Sequence, residues 1–166
     1  MKVSCVIPSA GKGRRLKAKQ DKAFIRIKNK PIIFYTIKAL ERCSLINEII
    51  AVVSRKNLAI CAKLVKKHKF RKVTQITSGG KKRFDSVRKG LQKIKDAHII
   101  LIHDGARPFI DEASVKRVID AVKKYGAALA ALPSKQTLKV VNKKFLIQKT
   151  LFLSLLPVGQ VLWKRL

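Results

Sequence analysis

The sequence predicts an α/β fold built on a mainly parallel sheet with helices on both faces. Three observations point there. Strand-like apolar runs and helix-like periodic segments alternate along most of the 166 residues. The most apolar of the strand signals, residues 97–102, has the character of an inner strand of a parallel sheet. Three stretches rich in glycine and basic residues each follow a strand signal, so they gather at one sheet edge, the usual ligand edge of an open α/β sheet.

In chain order, Val3, Cys5, Val6 and Ile7 form a first strand that passes into the small residues Ser9, Ala10, Gly11 and Gly13. Phe24, Ile25 and Ile27 make a short extended piece, and Pro31 suits the first turn of a helix that presents Ile33, Ile37 and Leu40 on one side. Residues 48–54 read as a buried strand. A helix over residues 58–69 follows, with Cys61, Leu64, Val65 and His68 inward; His68 reads as an inner-edge residue, not a ligand. The strand at 73–77 delivers Gly79 and Gly80 into a turn. Phe84, Val87, Leu91 and Ile94 then recur at three- and four-residue steps, predicting an amphipathic helix whose positive end faces the ligand edge.

The strand at 97–102 ends at His103-Asp104. Asp111 is an N-cap for a helix to Tyr125, with Val115, Val118, Ile119 and Val122 inward and Gly126 as its stop. Residues 127–132 form another strand, closed by Pro133. Residues 137–141 and 145–150 alternate around Asn142-Lys143-Lys144 as a hairpin-like arm. The whole is a Rossmann-like three-layer αβα sandwich with a small β-arm. It divides into a main domain at 1–134, the first half of the arm at 135–150 and an apolar tail at 151–166.

Composition bounds the function. A hydrophobic fraction of 47% with 29% charged residues describes a globular chain, not a disordered one. The 39 Lys and Arg against 9 Asp and Glu give a net charge of +30, which attracts polyanions of any kind. Lysine is spread along the whole chain, as on solvated helix faces, and no zinc-finger spacing or RNA-binding aromatic signature is present. A specific nucleic-acid partner is therefore not expected. Cys5, Cys43 and Cys61 are widely spaced and form no Cys-x-x-Cys pair, which suits buried free thiols in a reducing compartment. No signal-like segment and no apolar run of membrane-spanning length occurs, so a cytoplasmic protein without a membrane partner is expected.

The loop after the first strand carries the chemistry. Ala10, Gly11 and Gly13 leave backbone N–H groups open to an anion, with Lys12, Arg14, Arg15, Lys19 and Lys22 close in sequence. Leu16 stands where the dinucleotide fingerprint needs its third glycine, and the Gly-Lys-Ser/Thr of a P-loop is absent. From this loop alone, an ordinary strand-to-helix turn with solvated lysines remains open. Asp104 is the best metal candidate: a lone carboxylate at a strand end fits a hard cation such as Mg²⁺ that also takes phosphate oxygens.

Taken together, residues 6–24, Ser78-Gly79-Gly80-Lys81-Lys82-Arg83-Phe84-Asp85-Ser86-Val87 and His103-Asp104-Gly105-Ala106-Arg107-Pro108 closely resemble the 2-C-methyl-D-erythritol 4-phosphate cytidylyltransferase family of the nucleotidyltransferase superfamily. The resemblance runs to about Thr150. It implies transfer of a cytidylyl group from CTP to a sugar-alcohol phosphate in non-mevalonate isoprenoid synthesis, assisted by Mg²⁺ or another divalent cation, in a homodimer. It further implies that Arg15 and Lys22 stabilise the transferring phosphorus and that Ala10, Gly11 and Gly13 line the triphosphate. Gly80 and Ser86 would help recognise the cytosine and ribose, with Arg83 supporting their loop. Arg107 would serve the acceptor phosphate or a subunit contact, with a structural salt bridge as the alternative, and Thr137 would belong to the acceptor side.

The departures are specific. Asp21 replaces the proline usual before the lysine, a change expected to loosen that segment. Lys81 stands where an acid is frequent, and Gln136 removes a charge next to Thr137. After Thr150 the expected Thr-x-x-Arg element and Gln-Thr-Pro-Gln-like turn give way to Leu151-Phe152-Leu153-Ser154-Leu155-Leu156, as a frame shift or truncation would produce. The acceptor half is thus expected to be incomplete, and residues 151–156 to leave an exposed apolar patch. Alternatives are a ribitol- or other sugar-phosphate cytidylyltransferase, a non-catalytic basic protein that binds polyanions, and a non-functional remnant.

Overall fold

A computed structural model of the chain describes residues 1–11, 13, 20–133, 138–151 and 155–164. In order, its elements are β1 (Val3–Pro8), β2 (Arg26–Ile27), β3 (Lys30–Pro31), α1 (Ile32–Arg42), β4 (Glu48–Val53), α2 (Leu58–Lys67) and β5 (Val73–Ser78). Then come α3 (Arg83–Leu91), β6 (Ile99–Ile102), α4 (Glu112–Tyr125), β7 (Ala127–Pro133), β8 (Leu138–Val141), β9 (Ile147–Leu151) and β10 (Leu155–Lys164).

Among the described residues the main sheet has six strands in the order β5-β4-β1-β6-β10-β7. β1 pairs in parallel with both β4 and β6, and β4 pairs in parallel with β5. β10 runs antiparallel to its neighbours β6 and β7. The layering follows from alternation along the strands. Val3, Cys5 and Ile7 of β1, with Ile49, Ala51 and Val53 of β4, join the large core beneath α1, α2 and α4. Val6, Ile50 and Val52 face the other way, toward Leu91 at the end of α3 and Ile94 just beyond it.

α1 is held by Ile33, Ile37 and Leu40, all fully buried, and each such side chain contributes about 1.5–3 kcal/mol relative to exposure. α4 buries Val115, Val118, Ile119 and Val122, the stripe its spacing predicts. Asp111 caps that helix by accepting from Ser114 N–H at 2.6 Å, and Gly126, at φ 84°, ends it. The three cysteines are free and buried. β8 and β9 form a separate hairpin, closed by Asn142 Oδ1 accepting from the N–H groups of Lys144 and Leu146.

Some expectations are corrected. Phe84 is not on the inner face of α3: it is 71% exposed, and the buried positions are Ser86 and Gly90. The face is set by the close approach of Gly90 to Val6 and Val52, which a side-chain period counted on apolar residues cannot register. α3 ends at Leu91, so Ile94 packs from the following turn, and α2 ends at Lys67, where the chain turns through Lys69 at φ 50°. Residues 24–27 are not one extended piece; Phe24 ends the 3-10 turn Lys22–Phe24, and the strand is Arg26–Ile27. The backbone of Leu155–Lys164, expected as part of a tail, enters the sheet between β6 and β7.

Candidate active site

The three glycine-bearing stretches meet because two backbones come too close for any side chain between them. A Cβ on Gly79 would stand 2.4 Å from Ala10 Cβ and 2.7 Å from Ser86 Oγ, so the β5–α3 turn lies directly on the loop after β1. A Cβ on Gly105 would stand 1.9 Å from Ser9 Oγ, which sets the loop after β6 against the same segment. Backbone bonds fix the edges: Ser9 N–H donates to Val52 O at 2.7 Å and Gly79 N–H to Val53 O at 2.8 Å. Thr36, buried on α1, donates to Gly105 O at 2.9 Å.

Between these loops is a cleft of about 280 Å³. Of the residues singled out from the sequence, Ala10, Gly11, Gly13, Lys22, Gly80, Arg83, Ser86, Asp104 and Arg107 all line it. Arg15 and Thr137 lie outside the described residues. Pro8, Ser9, Ala23, Lys81, Lys82 and Ala106 also line it. Lysine and arginine therefore dominate its charge, and Asp104 is the carboxylate among them.

Asp104 holds an arginine on each oxygen. Arg83 Nη2 is 3.0 Å and Nε 3.1 Å from Oδ1, and Arg107 Nε is 3.3 Å from Oδ2. Both arginines are about half exposed, so this is a wet, adjustable ion cluster at the cleft mouth. Ser86 is buried. Its hydroxyl accepts from Gly80 N–H at 3.1 Å and lies 3.4 Å from Lys82 O, so it shapes the Gly79–Gly80 turn from below. Asp85 accepts from Lys82 N–H at 2.9 Å, the behaviour of a first-turn acid at the start of α3.

Lys22 opens the 3-10 turn after the first loop and is exposed toward the cleft. Gly13, at φ 60°, backs onto it: a Cβ there would lie 3.1 Å from Lys22 Cβ. The expectation that Asp21 loosens this segment is not met. Asp21 is 2% exposed and bonded to Ser54 and Asn57. His103 is buried, with Nε2 2.8 Å from Arg107 O; burial holds its pKa below the ordinary histidine value.

Sequence reasoning missed Thr36 and the anchoring of Asp21. The signal for Thr36 was a polar residue on the inner face of a helix otherwise buried through Ile33, Ile37 and Leu40. A second, larger cavity of about 740 Å³ lies between α4 and β7, against Phe109, Ile110, Val118 and Leu129. It shares Arg107 with the cleft but has none of the glycine-loop backbone, so the smaller cleft is the better seat for a polyphosphate.

The family model for IspD, 2-C-methyl-D-erythritol 4-phosphate cytidylyltransferase, matches residues 3–156. The protein of that name from Clostridium acetobutylicum is 42% identical over 147 residues, 88% of this chain and 64% of the relative. The one from Dehalococcoides mccartyi is 43% identical over 150 residues, 90% of this chain and 66% of the relative. The chain thus spans slightly less than two thirds of the length of these curated relatives. In fold it is similar to the crystal structure of 4-diphosphocytidyl-2C-methyl-D-erythritol synthase from Anaerococcus prevotii. The TM-score is 0.81 at 22% identity, covering 98% of this chain and 71% of that one. The cytidylyltransferase structure from Thermus thermophilus gives a TM-score of 0.69 at 23% identity, covering 98% of this chain and 71% of that one. With the family model matched over most of its length and relatives above 40% identical, the chain belongs to the 2-C-methyl-D-erythritol 4-phosphate cytidylyltransferase family.

Proposed function

We propose that the cleft binds CTP and that the protein transfers its cytidylyl group to 2-C-methyl-D-erythritol 4-phosphate. A phosphate oxygen of the acceptor attacks the α-phosphorus of CTP, the bond from that phosphorus to the bridging oxygen breaks, and pyrophosphate leaves. One observation carries this reading: bare backbone from two glycine loops and the charged groups Lys22, Arg83, Arg107 and Asp104 converge on one cleft at the sheet edge.

Both reactants are anions, so the work is positioning and the placing of positive charge against the transition state. In this reading Ala10, Gly11 and Gly13 follow the triphosphate, and Lys22 and Arg15 offset the charge gathering at the phosphorus. Gly80 and Ser86 meet the cytosine and ribose end, with Arg83 supporting them. Arg107 and Thr137 serve the acceptor.

The donor set fits a divalent cation bound mainly through phosphate. Among the described residues Asp104 is the single carboxylate lining the cleft, and no three His, Cys, Asp or Glu side chains come together. Asp104 would hold Mg²⁺, which when bound supplies charge to neutralise the triphosphate. The reading further takes the working form to be a cytoplasmic homodimer. Among the described residues no helix is long and apolar enough to cross a membrane.

Calorimetric titration tests the reading, using CTP, ATP and a short DNA at two salt concentrations, with Mg²⁺, against a Lys22→Ala control. Selective, Mg²⁺-dependent CTP binding that the control loses is the expected result. Equal and steeply salt-dependent binding of all three ligands would replace it with a general polyanion-binding protein.

A further inference from the structure

Asp21 takes no part in the chemistry above, yet its carboxylate is buried, a costly state unless its partners give it a use. Oδ2 accepts from Ser54 Oγ at 2.5 Å and from Asn57 Nδ2 at 2.7 Å, and Oδ1 lies 3.4 Å from Lys56 Nζ. Asn57 Nδ2 also lies 3.0 Å from Ser54 Oγ, so these two partners are braced against each other. All three belong to the segment between β4 and α2, which does not line the cleft.

The same residue starts the turn that carries Lys22. The Asp21 carbonyl accepts from Phe24 N–H at 2.8 Å, and the Lys22 carbonyl from Ile25 N–H at 3.3 Å. Ala23 and Phe24 are buried in the core. Lys22 therefore sits between a polar anchor before it and an apolar anchor after it, and is itself exposed to the cleft beside Gly13. A lysine is a compact charge on a flexible stem, so its use at a fixed point depends on how firmly its backbone is placed.

We propose that Asp21 is a positioning residue for Lys22, its buried carboxylate clamping the Lys22–Phe24 turn to Ser54 and Asn57 so that the lysine's charge stands where the nucleotide phosphates bind. The proposal rests on the CTP reading and adds to it a control point outside the cleft, in the β4–α2 segment.

The test is a double-mutant cycle in CTP affinity with Mg²⁺, pairing Asp21→Asn and Asn57→Ala each with Lys22→Ala. Asn57→Ala and Ser54→Ala leave the turn's own sequence intact and carry the test if Asp21→Asn does not fold. Each clamp change weakens CTP binding about three- to tenfold when Lys22 is present and less than about twofold when it is alanine. Equal losses in both backgrounds, or no loss in either, overturn the clamp, because a general structural role would act whether or not Lys22 is there. Amide hydrogen exchange supplies a second readout without nucleotide: Phe24 and Ile25 exchange faster in Asn57→Ala while β1 is unchanged. If the unaltered chain binds no CTP, the CTP reading fails. The exchange data then judge the clamp by themselves, faster exchange at Phe24 and Ile25 supporting it and unchanged protection overturning it.

Discussion

Arg83, at the first position of α3, reaches Asp104, just beyond the end of β6, with Nη2 3.0 Å from Oδ1 across 21 residues of sequence. The contact joins two of the three loops that make the cleft. The side chains are 49% and 29% exposed, so solvent screens the pair and its share of stability is about 0–1 kcal/mol. Asp104→Asn should then leave urea unfolding within about 1 kcal/mol of the unaltered chain. On the proposed reading, Mg²⁺-dependent CTP binding should fall at least about tenfold, because Asp104 is the carboxylate that lines the cleft among the described residues. Matching losses in stability and binding would assign Asp104 to the scaffold.

Gly79→Ala should act through packing. The new methyl group would meet Ala10 Cβ at 2.4 Å and Ser86 Oγ at 2.7 Å, and Ala10 has no side-chain torsion by which to move aside. Overpacking of this kind costs about 1–3 kcal/mol, read by urea denaturation, and it forces the first loop away from the second. CTP binding should weaken in step.

Gly126→Ala should separate backbone strain from the site. Nothing lies within 4 Å of a Cβ there, but φ is +84°, so the cost is conformational, about 1 kcal/mol. Thermal unfolding should shift downward while CTP affinity stays unchanged; a loss of affinity would mean that α4 and β7 govern the cleft.

His103 should make the protein acid-sensitive. Burial lowers its pKa from the ordinary value of 6.5, so the native state favours the neutral ring. The sign follows: this stability is full above pH 6.5 and is lost as pH falls through that value toward the lower native pKa. Unfolding free energies between pH 7.5 and 5.5 should therefore fall less in His103→Gln than in the unaltered chain.

The cysteines should be silent in the native state. Burial pushes Cys61 up to about 11 and raises Cys5 further still, and Cys43 is raised by burial as well. A thiol-reactive dye at pH 8 should label none of them until denaturant is added, when all three react.

Much of this architecture was legible in the sequence because its physics is local. The β1 loop shows a strand giving way to residues without bulk, and the stripe Val115, Val118, Ile119 and Val122 shows one helix face. Asp21 was misread because the groups that hold it, Ser54 and Asn57, are more than thirty residues away and have no sequence signature. Phe84 was misplaced because the inner face of α3 is built on Ser86 and Gly90, which hydrophobic periodicity leaves uncounted. The β10 strand was hidden by Pro157 and Gly159, which argue against a central strand; the pairing with β7 shifts register between Pro157 and Gln160.

The insertion of β10 between β6 and β7 has a consequence for how the chain is made. β5, β4, β1 and β6 are contiguous in the sheet, so that half can assemble once residue 102 has left the ribosome. Among the described residues β7 has β10 as its sole neighbour, and the inner edge of β6 is closed by the same strand. Until residues 155–164 emerge, a nascent chain carries an open strand edge on β6 and an unpaired β7. The interval between synthesis of the two halves is thus the period when other chains can pair with this one, and slow translation past Pro133 should increase aggregation.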